Sequence, residues 1–306
     1  MKIFDAHCDV LMKLFLDPSI PFSYDESLHI NYQSLKAAGS KVQCFAIYVP
    51  EEIHPDARFP AALAMVDLFY EKILAHPGIK HVTCKKDIEA LGEGEIGAVL
   101  TLEGCDCIGD DLVKLKTLLR LGVSAVGLTW NFANRVANGA MEKRAGGLTV
   151  FGEQVVKQLN KQSVWCDVSH LSESSFWDTL ELAEFPIASH SNVHSICPHP
   201  RNLKDAQIRA LIKKNGVIGV TFVPQFLTQK PSAGIRDVLN QIDYIAGLGG
   251  AKHIGLGSDF DGIAQTVDNL SSYKDYGNLI EELQKHYTED FVRGILFENF
   301  TSRFPV

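Results

Sequence analysis

The chain has 306 residues, of which 46% are hydrophobic and 22% are charged, and this length allows one large core or two modest ones. Its formal net charge of -8 argues against a nucleic-acid partner or an anionic membrane surface, because either would favour clustered Lys and Arg. The charge balance therefore favours a small-molecule substrate.

The sequence predicts a cytoplasmic protein without a membrane partner. Asp5 and Asp9 interrupt the apolar run that an amino-terminal signal peptide would need. No stretch approaches the ~20 uninterrupted apolar residues of a membrane span. The seven cysteines are odd in number and include no CxxC pair, so neither a disulfide framework nor an all-cysteine zinc site is expected.

Eight short apolar segments recur along the chain, and each reads as a strand. Their hydrophobicity is nearly continuous and does not alternate, which is typical of parallel strands buried on both faces. The predicted strands are residues 3–6, 42–49, 96–102, 125–129, 164–168, 187–189, 217–222 and 253–257.

Helical patterns lie between many of these strands. The predicted helices 60–75, 111–121 and 205–214 end at glycine or proline signals, and Ser172 is expected to cap the helix that contains Phe176. Strands that alternate with helices in a chain of this length predict a (β/α)8 TIM barrel as a single domain over residues 1–306. The carboxyl-terminal stretch 278–304 is predicted to be helical and to pack on the outside of the barrel.

Candidate metal ligands follow several of the predicted strands. His7 and Asp9 are two apart in an extended segment, so their side chains point to the same side. Glu103 follows a wholly apolar run, where a buried carboxylate needs a partner or a metal. His170 and His190 follow consecutive strands. The carboxyl ends of barrel strands form the active face, so all five are expected to converge there.

Five ligands exceed the three that a single catalytic zinc commonly takes from protein. Two metal ions that share a carboxylate explain the number better, and Glu103 is placed best to bridge them. Asp259 follows the last predicted strand and could exchange protons with a metal-bound water, whereas Asp261 is expected to be a turn residue. The sequence therefore predicts a metal-dependent hydrolase with Glu103 and Asp259 as catalytic residues.

Taken together, these motifs make the chain resemble the renal dipeptidase, or membrane dipeptidase, family of binuclear zinc peptidases. The matching stretches occur in the family's order and span nearly the whole chain. They are DAHCD (5–9), LEG (102–104), LTWN (128–131), DVSH (167–170), SHSN (189–192), PRNLKD (200–205) and GLGSDFDG (255–262).

The resemblance implies two zinc ions, one held by His7, Asp9 and Glu103 and the other by Glu103, His170 and His190. It implies that a hydroxide bridging the zincs attacks the peptide bond of a dipeptide, including one with a C-terminal D-amino acid. Asp259 would transfer protons, and Arg201 would bind the substrate's free carboxylate with its planar guanidinium. The family also suggests a homodimer.

One residue departs from the family pattern. Where many relatives have LTHN, with a histidine that steadies the oxyanion, this sequence has Trp130. An indole N–H can donate a hydrogen bond but cannot be charged, so Trp130 and Asn131 are both candidate substrate-binding donors.

Two alternatives remain open at the level of sequence. Another binuclear barrel hydrolase, acting on an amide or lactone, would often use a carboxylated lysine as the metal bridge. No Lys stands at a strand end here except Lys252, which lies just before the eighth predicted strand. A catalytically impaired binding homologue would lack a ligand, whereas all five ligand positions and Asp259 are filled.

Overall fold

Nine parallel strands run through the computed structural model, which describes all residues from 1 to 306. The strands are β1 Ile3–Asp5, β2 Ser40–Tyr48, β3 Ile79–His81, β4 Ile96–Glu103, β5 Val123–Gly127, β6 Trp165–Asp167, β7 Pro186–Ile187, β8 Ile218–Val220 and β9 Ile254–Leu256.

Eight of these strands form a barrel. They are hydrogen-bonded in the order β7-β6-β5-β4-β2-β1-β9-β8, and an isolated bridge between Ala188 and Ile218 joins the two ends of that order. The remaining strand, β3, pairs only with β4 and lies off the barrel path. The predicted (β/α)8 barrel is therefore confirmed, and β3 is an addition that the sequence did not predict.

Ten helices lie between the first and last strands, and three more follow β9. They are α1 Val10–Leu16, α2 Tyr32–Ala38, α3 Pro55–Leu68, α4 Lys85–Ala90, α5 Leu112–Arg120, α6 Val150–Lys161, α7 Glu173–Leu182, α8 Asp205–Lys213, α9 Pro224–Leu227, α10 Ile235–Ile245, α11 Tyr276–His286, α12 Glu289–Arg293 and α13 Asn299–Arg303. Short 3-10 turns cover Cys105–Cys107 and Tyr273–Asp275, and π-helical turns cover Phe69–Ile73, Ala246–Gly250 and Gly294–Glu298. No helix combines the length and the hydrophobicity that crossing a membrane requires.

Most helix ends agree with the sequence signals. Ser172 accepts a hydrogen bond from the Ser175 N–H and caps α7 as predicted, and Asp111 caps α5 in the same way. The predicted start of helix 60–75 is wrong, because α3 begins at Pro55 and contains Pro60 in its interior. Proline at the first helical position costs no hydrogen bond, so Pro55 was the better start signal.

Aromatic side chains from the carboxyl-terminal segment fill the amino-terminal end of the barrel. The Phe300 ring stacks on Phe4 of β1 with centroids 5.2 Å apart, and Phe304 packs on Trp165 of β6 at 4.5 Å. The Trp165 indole N–H also donates to the Arg303 carbonyl at 3.1 Å. This packing leaves the carboxyl ends of the strands as the face that is open for a functional site.

Candidate metal centre

The five predicted ligands lie at the carboxyl ends of four barrel strands. His7 and Asp9 follow β1, Glu103 is the last residue of β4, His170 follows β6 and His190 follows β7. All five are buried, with exposed fractions from 1% for His190 to 9% for Glu103. Buried groups of this polarity need strong partners, so their mutual geometry decides what the site can do.

Glu103 lies at the centre of the cluster. Its Oε1 is 2.9 Å from His170 Nε2 and 3.5 Å from His190 Nε2, and its Oε2 is 3.5 Å from His7 Nε2. Asp9 Oδ2 lies 3.4 Å from the same His7 nitrogen. The two carboxylate oxygens of Glu103 therefore face two different groups of ligands, as the sequence-based hypothesis of a bridging carboxylate requires.

The side chains fit divalent cations better than they fit one another. The Nε2 atoms of His170 and His190 face each other at 2.8 Å, while His7 Nε2 and Asp9 Oδ1 have no hydrogen-bond partner although both are buried. Ligand atoms of His7, Glu103 and His190, and separately those of His7, Asp9 and Asp259, lie within 4.8 Å of one another. Neutral imidazoles and carboxylates in such groups are ordinary zinc ligands.

The electrostatics of the cluster also favour a cation. Burial and the nearby Glu103 raise the pKa of Asp9 well above its usual value. Burial opposes the charged form of His7, but Glu103 and Asp9 outweigh it and raise the pKa of that imidazole well above the usual value. Burial lowers the pKa of His170 to about 3, which leaves a neutral nitrogen lone pair available for a metal.

Asn131 contacts His170, one of the five candidate metal ligands, in addition to lining the cavity. Its Oδ1 lies 3.1 Å from His170 Nδ1, so it accepts the Nδ1 proton when His170 Nε2 faces the cluster. The loop can take this shape because Gly139 packs directly on the backbone of Trp130 and Asn131, where a Cβ would clash. The sequence identified Asn131 only as a candidate substrate donor.

Asp259 reaches the cluster from the loop after β9. Its Oδ1 lies 3.8 Å from His7 Nε2, and its backbone has a positive φ of 63°. Burial, reinforced by Glu103, raises the pKa of Asp259 to about 6. A Cβ at Gly262 would clash with Asp9 Oδ2 and lie 2.7 Å from Asp259 Oδ1, so glycine is required for these carboxylates to approach.

Asp261 stabilises the same loop through hydrogen bonds and a salt bridge. Its carboxylate accepts the N–H groups of His29 at 2.8 Å and Ile30 at 3.0 Å, and it forms a salt bridge with Lys13 at 2.9 Å. These bonds account for both oxygens of this buried side chain. Asp261 therefore has the structural role that the sequence analysis expected.

Arg201 is a buried cation without a carboxylate partner. It is 4% exposed, its Nη2 makes one long bond of 3.4 Å to the His190 carbonyl, and its Nε has no partner. Its guanidinium lies over the Phe226 ring at 5.6 Å, and burial lowers its pKa to about 10. Such a group is costly to bury alone, so it has unused capacity for an anion.

A cavity of about 220 Å³ opens beside the cluster. Asp9, Glu103, His170 and Asp259 line its polar part, and Asn131 and Trp130 line the wall. Trp130 lies between Tyr48 and His170, with ring centroids 5.1 Å and 6.1 Å away.

Sequence reasoning missed two aromatic residues that line this cavity, Tyr48 and Phe226. Tyr48 ends β2, so the rule that found the ligands at strand ends could have found it. Phe226 lies in the short helix α9 after β8, where the sequence carries no such signal.

Lys252 does not contribute to the site. It is exposed and directly precedes β9, at the opposite end of the barrel from the cluster. A carboxylated lysine bridge, the mark of the rival class of barrel hydrolases, therefore has no residue to supply it here.

An eight-stranded α/β barrel with buried histidines and carboxylates at the carboxyl ends of its strands defines a metal-dependent hydrolase. A sequence model of the membrane dipeptidase family, peptidase family M19, matches residues 1–303, and the chain belongs to this family. The family assignment makes the protein a metallopeptidase of the dipeptidase class, in agreement with the resemblance identified from the sequence.

Two solved structures and one further sequence are similar to this chain. The dipeptidase AC, a metallopeptidase of family M19, is 27% identical with a TM-score of 0.93, over 99% of this chain and 97% of that chain. A Rhodobacter sphaeroides metallopeptidase crystallised with a phosphinate mimic of the dipeptide L-Ala-D-Ala is 26% identical with a TM-score of 0.93, over 99% and 98%. An uncharacterised Klebsiella pneumoniae protein from the pqqA 5' region is 35% identical over 75% of this chain and 90% of its own length.

Proposed function

We propose that the protein hydrolyses dipeptides with two zinc ions and accepts substrates with a C-terminal D-amino acid. The observation that carries the proposal is the convergence of four other buried ligands around Glu103, with the Nε2 atoms of His170 and His190 only 2.8 Å apart. Burying these polar groups without partners would cost free energy. Coordination of cations would give them partners.

In this proposal the residues form two ligand sets that share Glu103. His7, Asp9 and Glu103 Oε2 would hold one zinc, and Glu103 Oε1, His170 and His190 would hold the other. When bound, zinc supplies Lewis acidity, which lowers the pKa of water towards about 7 and polarises a carbonyl.

Asp259 is the proposed proton carrier of the reaction. Its carboxylate borders both the cavity and the His7–Asp9 side of the cluster, so it can reach an attacking water and the leaving amine in turn. The turn at Gly262 and the bonds of Asp261 keep the loop in this position.

Arg201 is the proposed anchor for the substrate's terminal carboxylate. It is the buried cation beside the cluster that lacks a carboxylate of its own, and a guanidinium can bind both carboxylate oxygens. A carboxylate fixed there places the adjacent peptide bond, and no later one, at the metals. The dipeptide mimic bound to the Rhodobacter sphaeroides relative ends in D-Ala, which supports the inclusion of D-residues.

Metal analysis and a substrate panel test this function together. Purified protein should contain two zinc ions per chain and should cleave L,L and L,D dipeptides. Matched tripeptides and C-terminally amidated dipeptides should be poor substrates, because their free carboxylate is displaced or missing. Equal turnover of the tripeptides would reject the carboxylate anchor, and dipeptide binding without any turnover would instead indicate an impaired homologue.

A further inference from the structure

Two buried side chains behind His190 are not used by the chemistry described above. Ser189 Oγ lies 2.7 Å from His190 Nδ1, and the same hydroxyl forms a short hydrogen bond with Asp167 Oδ2. Asp167 is 7% exposed, Ser189 4% and His190 1%, so water does not compete for these bonds. The three groups form a continuous chain from the barrel interior to the cluster.

The direction of the protons follows from the acceptors. The hydroxyl of Ser189 donates its single proton to the carboxylate oxygen of Asp167. Ser189 Oγ must then accept from His190 Nδ1–H, which leaves the Nε2 lone pair of His190 facing Glu103. The opposite arrangement would place the proton on Nε2, where a bound cation leaves no room for it.

Asp167 is itself held in place. Its Oδ1 accepts the backbone N–H groups of Ser169 at 2.9 Å and Ser189 at 3.0 Å. Strands β6 and β7 pair Asp167 with Ile187, so Ser189 lies two residues further along and on the same side. The carboxylate therefore cannot rotate away from the hydroxyl without breaking bonds at the sheet.

The other histidine of this ligand set has a weaker support. His170 Nδ1 faces the neutral amide oxygen of Asn131 at 3.1 Å, on a loop and not on a strand. A carboxylate that acts through a hydroxyl makes the imidazole a stronger donor than an amide does.

We propose that Asp167 and Ser189 are positioning residues that fix the tautomer of His190 and strengthen its bond to the cation it shares with Glu103 and His170. This inference rests on the proposed metal centre. It predicts that the loss of either residue weakens metal binding while the substrate groups, Arg201 and Asp259, stay in place.

Zinc affinity tests the inference directly. Metal-free protein is titrated with zinc against a competing chelator for the wild type, Ser189→Ala and Asp167→Asn, and unfolding is followed in parallel. Each variant should bind the zinc of the Glu103, His170 and His190 set about 10- to 100-fold less tightly than the wild type does. Because the two residues act through one chain of bonds, their effects should not add. The double variant should bind zinc about as tightly as either single variant does.

Thr101→Val is the matched control. Thr101 is also buried and lines a small cavity in the barrel interior together with Asp167 and Ser189, but its hydroxyl donates to the Phe45 carbonyl. This variant should keep wild-type zinc affinity, and Ser189→Thr, which retains a hydroxyl, should recover most of the loss. Excess zinc should restore turnover to Ser189→Ala, because affinity and not chemistry is impaired.

The outcomes separate the two proposals. A wild type that binds no zinc would reject the metal centre and this inference with it. A wild type that binds two zincs, with a folded Ser189→Ala that binds them equally well, would reject the positioning role alone. A loss of affinity in Thr101→Val as large as that in Ser189→Ala would also reject it.

Discussion

The Nε2 atoms of His170 and His190 lie 2.8 Å apart, so at most one of them can carry a proton. Both also approach Glu103 Oε1, at 2.9 Å and 3.5 Å. Two neutral imidazoles in this arrangement direct their lone pairs into the same small volume. A cation in that volume would be bound by both lone pairs, and its binding would then couple the stability of the fold to metal content.

Removal of the metal should lower the thermal midpoint of unfolding. A ligand that binds only the folded chain stabilises it by about 2.7 kcal/mol when its free concentration is 100 times the dissociation constant. Calorimetry before and after chelation, and again after zinc is added back, measures this difference. An unchanged midpoint in metal-free protein would contradict the coupling.

Glu103→Gln should lose both metal and activity while it remains folded. The amide keeps the shape of the side chain but removes the charge that faces both ligand sets, so we expect a fall in kcat/KM of at least about a hundredfold. Elemental analysis and dipeptide hydrolysis measure the two losses. Glu93→Gln, which changes an exposed glutamate, is the control and should match the wild type.

Arg201→Lys should raise KM for dipeptides more than it lowers kcat. Lysine keeps the charge but cannot bind both carboxylate oxygens, and the loss of one charged hydrogen bond costs about 2 kcal/mol, or about thirtyfold. Steady-state kinetics on one dipeptide measures the change. The exposed Arg209→Lys should have no effect, and an unchanged KM in Arg201→Lys would remove Arg201 from the substrate site.

Gly262→Ala should impair the site with little global unfolding. The added methyl group would displace Asp9 or Asp259, and overpacking of this kind costs about 1–3 kcal/mol. Zinc affinity, measured by titration, and the rate of dipeptide hydrolysis should both fall. Gly247→Ala is the matched control, since a Cβ there meets no atom within 4 Å, and it should behave as the wild type.

Phe300→Ala should destabilise the whole barrel although it lies at the far end from the cluster. The ring is 1% exposed and stacks on Phe4, and the deletion of a buried phenylalanine costs about 3–5 kcal/mol. Denaturant unfolding measures the loss. Phe132→Ala, at a phenylalanine that is 48% exposed, should cost far less.

The sequence predicted the barrel because its strands are buried on both faces and therefore appear as apolar runs. Strand β4, for example, is buried over its whole length from Ile96 to Glu103. Strand β3 escaped prediction because it has three residues, and Lys80 at its centre is exposed. A strand that pairs along one edge carries little hydrophobic signal.

The candidate site was predictable for a related reason. His7, Glu103 and His170 each stand out as polar groups directly after an apolar strand, and the barrel rule places such groups together. The contacts between loops were not predictable. Asn131 reaches His170 only because the backbone at Gly139 packs against it, and that arrangement depends on tertiary structure.

Phe300 and Phe304 complete the amino-terminal end of the barrel from a segment that follows every strand. Strands β1 and β6 carry Phe4 and Trp165 at this end of the barrel, whereas the rings that cover them follow all nine strands in the chain. Until that segment docks, a nascent chain presents these aromatic surfaces to water, and exposed surface of this kind promotes aggregation and chaperone binding. Chaperone dependence should therefore increase in chains truncated before residue 300.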